Sequence, residues 1–195
     1  MSEEINNSRR KLVFVAAGAG ACAGAAAAIP FAASMLPSER AKAMGAPVEA
    51  DISRMAPGEM QVLEWRGKPV WIVRRTKDML DGIKKSDGVV ADPKSEDKQQ
   101  PDYAKNEFRS IKEEFAVLVG VCTHLGCSPQ MKAVDAQAEM GADWAGGFYC
   151  PCHGSKFDLA GRVYKGVPAP KNLEVPPYTY LSDGRILIGE DTKGA

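Results

Sequence analysis

Hydrophobic and polar positions divide the chain into two unequal parts. From Leu12 to Leu36 no residue carries a charge. As a helix that stretch would measure roughly 37 Å at 1.5 Å per residue, enough to cross a hydrocarbon core of about 30 Å. The apolar region of a cleaved signal is shorter, about 7–15 residues, so the pattern predicts a retained transmembrane anchor over residues 12–36. Ala41-Lys42-Ala43 leaves cleavage open as the alternative. Residues 37–47 are polar and small, and predict a flexible neck. Beyond them the pattern changes to short runs rich in β-branched and aromatic residues. Glu59–Trp65 and Pro69–Arg74 flank Arg66-Gly67-Lys68 and predict a hairpin. Thr76 is placed to cap a short helix reaching Lys85, with Met79, Leu80 and Ile83 on one face. Ser86 to Gln100 is polar and predicts a surface excursion. Tyr103, Phe108 and Ile111 are expected in the core or on a helix face. Phe115 to Val121 has the continuous apolar pattern of a buried strand. Tyr178–Leu181 and Arg185–Gly189, joined through Asp183-Gly184, predict a second hairpin. The chain therefore reads as mainly β. One N-terminal transmembrane helix precedes an antiparallel β domain over residues 48–195, with a smaller subdomain inserted at about residues 121–172.

Composition narrows the function. The 25 basic and 25 acidic residues balance, which gives no reason to expect nucleic acid or another polyanion as partner. At 195 residues the chain holds one modest domain plus an appendage. The chemistry is concentrated in Cys122-Thr-His124-Leu-Gly-Cys127 and Cys150-Pro-Cys152-His153-Gly-Ser155. Each segment offers one cysteine and one histidine at ligand spacing, Cys122-x-His124 and Cys150-x-x-His153. Together they contain both histidines and four of the five cysteines. The fifth, Cys22, lies in the apolar stretch and is simply a small apolar residue there. Two thiolates and two imidazoles can hold a 2Fe–2S cluster, the sulfurs on one iron and the nitrogens on the other. Replacing two of four thiolates by neutral imidazoles brings the oxidised centre from about −2 to about zero net charge, which eases the addition of an electron. The same donor set also suits a tetrahedral zinc ion. Zinc leaves Cys127 and Cys152 without a role.

These segments resemble the Rieske iron–sulfur proteins. The likeness extends to the second cysteine pair, to Leu125-Gly126 and to Gly154-Ser155. Gly166-Val-Pro-Ala-Pro170 looks like the family's proline loop, with Val167 as an extra residue. The resemblance implies a Rieske-type β domain whose inserted subdomain binds one 2Fe–2S cluster. Cys122 and Cys150 would bind one iron, His124 and His153 the other. It further implies a Cys127–Cys152 disulfide, a Ser155 hydroxyl donated to a bridging sulfide, and a Leu125 that shields the cluster and packs against a quinone-site partner. The implied activity is electron transfer within a quinol–cytochrome c reductase. His124 and His153 would accept from ubiquinol, cytochrome b and cytochrome c1 would be partners in a dimeric complex, and the neck would let the head swing. Where respiratory members often carry tyrosine, two residues after Ser155, this chain has Phe157.

Ser8-Arg9-Arg10-Lys11-Leu12-Val13 looks like a twin-arginine export signal, a route for proteins folded around a cofactor. The disulfide implied by the resemblance needs an oxidising compartment. The expected topology is a single pass through a bacterial inner membrane, residues 1–11 cytoplasmic and the head periplasmic. Other Rieske contexts are the small subunit of a periplasmic molybdenum oxidase such as arsenite oxidase, a soluble dioxygenase ferredoxin, and the photosynthetic cytochrome bf complex. The long apolar stretch, the neck and the proline loop favour the quinol complex over the oxidase. The extra cysteine pair and Arg9-Arg10 argue against the ferredoxin.

Overall fold

The computed structural model describes residues 7–191 and divides the chain into two compact units, Met1–Ala43 and Met44–Ala195. Residues 1–6 of the expected signal region and 192–195 of the head lie outside the described residues. In the first unit, helix α1 (Asn7–Ser34) is long and apolar enough to cross a membrane, and none of its side chains is buried within the chain. It begins before the uncharged stretch and takes in Arg9, Arg10 and Lys11. The guanidinium of Arg10 lies 5.9 Å from the Phe14 ring centroid.

The segment expected to be a flexible neck contains a short helix, α2 (Glu39–Gly45). Local chemistry accounts for it. The Ser38 hydroxyl accepts from the Ala41 amide at 3.2 Å, an N-terminal cap, and Lys42 pairs with Glu39 at 2.7 Å one turn away. Alanines fill the turn, and Pro47, which has no backbone N–H to donate, stops it two residues after Gly45.

The second unit is built on nine strands among the described residues: β1 (Val48–Asp51), β2 (Met60–Trp65), β3 (Lys68–Arg74), β4 (Phe115–Val119), β5 (Gln130–Lys132), β6 (Gly147–Cys150), β7 (Ser155–Asp158), β8 (Tyr178–Ser182) and β9 (Arg185–Ile188). They form three antiparallel sheets, ordered β1-β9-β8, β2-β3-β4 and β5-β6-β7. The β2–β3 turn is tighter than the sequence suggests. Trp65 pairs with Lys68, so only Arg66 and Gly67 form the loop, both at positive φ, 52° and 70°. That is the two-residue turn whose twist matches a hairpin. The β8–β9 turn does not use positive φ at Asp183 or Gly184, and a bulge between Tyr180 and Ser182 absorbs the mismatch. Helix α3 (Lys77–Lys85) is capped by the Thr76 hydroxyl, which accepts from the Met79 amide, and it buries Ile83 beside Leu159 and Ala160. A four-residue helix, α4 (Gln137–Met140), lies in the β5–β6 connection.

One hydrophobic cluster runs through all three sheets, joining Trp71, Val117, Leu118, Leu173 and Ile186 to Phe148 and Phe157 of the inserted sheet. The inserted sheet thus shares its core with the strands that carry it. Two expectations fail here. Residues 86–100 are not simply a surface excursion: Ser86, Val90 and Ser95 are buried, and the Ala91 amide donates to the Val163 carbonyl at 2.8 Å. The segment is polar because its carboxylates and carbonyls satisfy buried partners. Asp87 and the Pro93 carbonyl accept from Arg162, and Asp92 accepts from Asn172. Ile111 is exposed, whereas Tyr103 packs on the core and its hydroxyl accepts from the Tyr178 amide.

Candidate metal centre

Two loops carry the candidate ligands, and they close in the same way. β4, buried at all five positions, leads through Gly120 and Val121 to Cys122. The Gly126 amide then donates back to the Cys122 carbonyl at 3.0 Å. In the second loop, β6 ends at Cys150, and the Gly154 amide donates to the Cys150 carbonyl at 2.9 Å. Each loop is therefore a five-residue turn starting on a cysteine and closing on a glycine. The glycines have φ of +86° and +78° and open space around them, so it is the left-handed backbone and not crowding that calls for glycine.

The turns bring the predicted site residues into contact in sets: Cys122 with Cys150 and Ser155, Cys127 with Cys152, and His124 with His153. Cys122 and Cys150 are free thiols, each 2% exposed. Cys127 and Cys152 form a disulfide that ties one loop to the other. The sulfurs of Cys127, Cys150 and Cys152 all lie within 4.8 Å of one another. His124 and His153 meet edge to face with ring centroids 4.7 Å apart. His153 is exposed and His124 half-buried, next to the fully presented Leu125. Ser155 is buried; its Oγ accepts from the Ala169 amide at 3.0 Å and bonds to the Cys122 thiol. Burial pushes that thiol's pKa up, and the adjoining Cys150 thiol adds to the rise, while the His124 amide and the Ser155 hydroxyl pull it down.

This donor set fits a 2Fe–2S group. Two soft thiols lie buried beside a pair of imidazoles, and His124 Nδ1 is buried without any hydrogen-bond partner, as a nitrogen reserved for a metal would be. A third loop closes over the first two. The Gly166–Pro170 segment is held by the Ala169 amide on Ser155, and the carbonyl of Lys171 accepts from the Thr123 hydroxyl at 2.6 Å. Thr123 and Asn172, whose Oδ1 accepts from the Val163 amide at 2.8 Å, were not singled out from the sequence. Thr123 is only the spacer in Cys-x-His, and no local signal marks a hydroxyl that bonds forty-eight residues away.

Comparison with known proteins agrees with the donor set. The Rieske 2Fe–2S domain matches residues 47–178. The chain is 54% identical to the ubiquinol–cytochrome c reductase iron–sulfur subunit of Allochromatium vinosum, over 100% of this chain and 95% of that one. It is 42% identical to the subunit of the same description from Bradyrhizobium diazoefficiens, over 93% and 94% of the two chains. Among solved structures, a chain from a hyperthermophilic respiratory Complex III is 29% identical, with 89% of this chain and 98% of that one covered and a TM-score of 0.47.

Proposed function

This chain belongs to the Rieske 2Fe–2S family, and from that premise we propose that it is the electron-transferring iron–sulfur subunit of a ubiquinol–cytochrome c reductase, an oxidoreductase complex. Cys122 and Cys150 would hold one iron through their thiolates, and His124 and His153 the other through a ring nitrogen each. When bound, the cluster supplies a one-electron acceptor of high potential, roughly −150 to +300 mV for this ligand type.

The rest is done by the chain's own residues. The second ring nitrogen of His153 or His124 accepts a hydrogen bond from the quinol hydroxyl and takes its proton as the electron leaves. Leu125, 72% exposed beside them, offers an apolar contact for a quinone-site partner. The disulfide and the Gly166–Pro170 loop hold the two ligand turns together and keep water from the buried thiols. Cytochrome b and cytochrome c1 are the partners that this reading requires, in a dimeric complex. α1 anchors the subunit in the bacterial inner membrane with its N-terminus cytoplasmic. The head is periplasmic, as the disulfide favours. Ser8 to Val13 serves as a twin-arginine signal, and the segment around α2 is where the head turns.

The observation that carries this reading is the set of side chains on the two turns: paired imidazoles, two buried free thiols, and a disulfide between the loops. Protein purified from native membranes should contain two irons and two acid-labile sulfides per chain, and on reduction show a spin-resonance signal of the mixed His/Cys type. His153→Ala should abolish quinol-dependent cytochrome c reduction. Stoichiometric zinc without labile sulfide would refute the assignment.

A further inference from the structure

Trp71 lies in the middle of β3, not in either ligand loop, yet it touches the chain leading into each, at Gly120 and at Phe148. It is 4% exposed. One face of its indole stacks on Phe148, with centroids 4.9 Å apart and planes 24° from parallel. Its ring also lies against Gly120, where a Cβ would come within 2.5 Å of three indole atoms, Cε2, Cζ2 and Nε1. Gly120 is not in the left-handed region, so any residue could adopt its backbone. Glycine is needed there for the room that the ring takes. Its amide, donated to the Pro69 carbonyl at 2.8 Å, presses the chain onto β3 at that point. Gly120 stands two residues before Cys122, and Phe148 stands two residues before Cys150. A single rigid ring therefore contacts both segments at the same offset from each buried thiol.

We propose that Trp71 is a positioning residue for the thiol pair: its indole, wedged between Gly120 and Phe148, fixes how far apart Cys122 and Cys150 are held. This rests on the assignment of those cysteines as cluster ligands. Support behind the ligands is where small displacements matter, because a ligand held loosely by a fraction of an ångström binds less well and alters the centre it holds.

The same molecule supplies a control. Trp65 is equally buried, 4% exposed, and its ring likewise lies against a glycine, but that glycine is Gly189, with no candidate ligand near it in the chain. The experiment compares full-length, membrane-extracted Trp71→Leu, Trp71→Phe and Trp65→Leu with wild type. Four quantities are read: apparent melting temperature, rate of iron loss to a chelator, spin-resonance line shape and midpoint potential. Trp71→Leu should lose iron about 10-fold faster, with a displaced midpoint and an altered line shape. Trp71→Phe, which keeps a flat ring against Phe148, should retain iron nearly as wild type does while moving the midpoint a smaller distance in the same direction. Trp65→Leu should melt lower by a similar amount yet leave iron loss, line shape and midpoint unchanged. If Trp71→Leu and Trp65→Leu cannot be told apart by the last three readouts, Trp71 is only a core residue and the proposal is overturned. Should Trp71→Leu fail to accumulate, a Trp71→Phe protein with all three at wild-type values overturns it equally. Wild-type protein without iron and labile sulfide would instead overturn the ligand assignment beneath the proposal.

Discussion

Replacing Arg162 by methionine should cost the head more stability than any surface ion pair could supply. The Arg162 side chain is 0% exposed and its partner Asp158 1%. Its Nε donates to Asp158 at 2.7 Å, its Nη1 to Asp87 at 2.7 Å and to the Pro93 carbonyl at 2.9 Å, and its Nη2 to the Ile83 carbonyl at 2.6 Å. Asp158 in turn accepts from the amides of Ala160 and Arg162, at 2.9 and 2.8 Å. An exposed pair contributes about 0–1 kcal/mol. Removing one partner of a buried pair leaves an uncompensated charge, at about 3–5 kcal/mol. For a domain of this size each kcal/mol moves the melting temperature by about 2–4 °C, so Arg162→Met should lower it by roughly 6–20 °C. Asp158→Asn should cost at least as much. It leaves Arg162, and also Arg75 and Arg109, without a buried carboxylate nearby, and burial already lowers both of those guanidiniums to a pKa of about 10. The double substitution should cost less than the sum of the two, by about 1–3 kcal/mol of coupling. Thermal melts of the full-length protein in detergent, followed by near-ultraviolet circular dichroism with iron content measured in parallel, give all three values. An Arg162→Met melting temperature within about 4 °C of wild type, the size of an exposed pair's contribution, would show that the buried network is not a strong restraint.

The Cys127–Cys152 bridge spans 25 residues, for which loop entropy predicts about 3.5 kcal/mol; Cys127→Ser should lose about that much and shed iron faster, and alkylation of both thiols in the native exported protein would refute the bridge. Ser155→Ala removes the hydroxyl that bonds to the Cys122 thiol and should lower the midpoint, while Phe157→Tyr adds a donor in the buried strand next to Phe148 and should raise it. If about 1 kcal/mol of such a bond favours the reduced form, each shift is roughly 40 mV, and voltammetry showing no change in either variant would refute the tuning. Gly45→Ala, at the last residue of α2, outside the left-handed region and with nothing within 4 Å of its methyl, should strengthen α2 by about 0.5 kcal/mol and slow turnover at an unchanged cluster spectrum; unaltered turnover would count against α2 as the place where the head moves.

Much of the molecule is legible from short windows of sequence because the forces involved are local. The uncharged stretch from Leu12 to Leu36 falls, as far as Ser34, in a helix long and apolar enough to cross a membrane, a property of length and composition alone. Thr76 caps α3 because a hydroxyl three residues from an amide needs no distant partner, and Arg66-Gly67 turns because glycine admits positive φ. The two turns that carry the proposed ligands are local too, each closed by its own glycine amide, so Cys122-x-His124 and Cys150-x-x-His153 are legible as candidate ligand pairs before any fold is known. Tertiary structure decided what those windows do not contain. It turned the polar residues 86–100 into a clamp, since Arg162 could be buried only where distant carboxylates and carbonyls surround it. It left Ile111 outside although its side chain is apolar, because burial depends on which strands lie next to one another and not on the residue alone. It joined Thr123 to Lys171, Ser155 to Ala169, and Trp71 to Gly120 and Phe148. A spacing of residues specifies which atoms can bind a metal, but the distance between two loops is set by the side chains packed behind them, and those come from strands far apart in the chain.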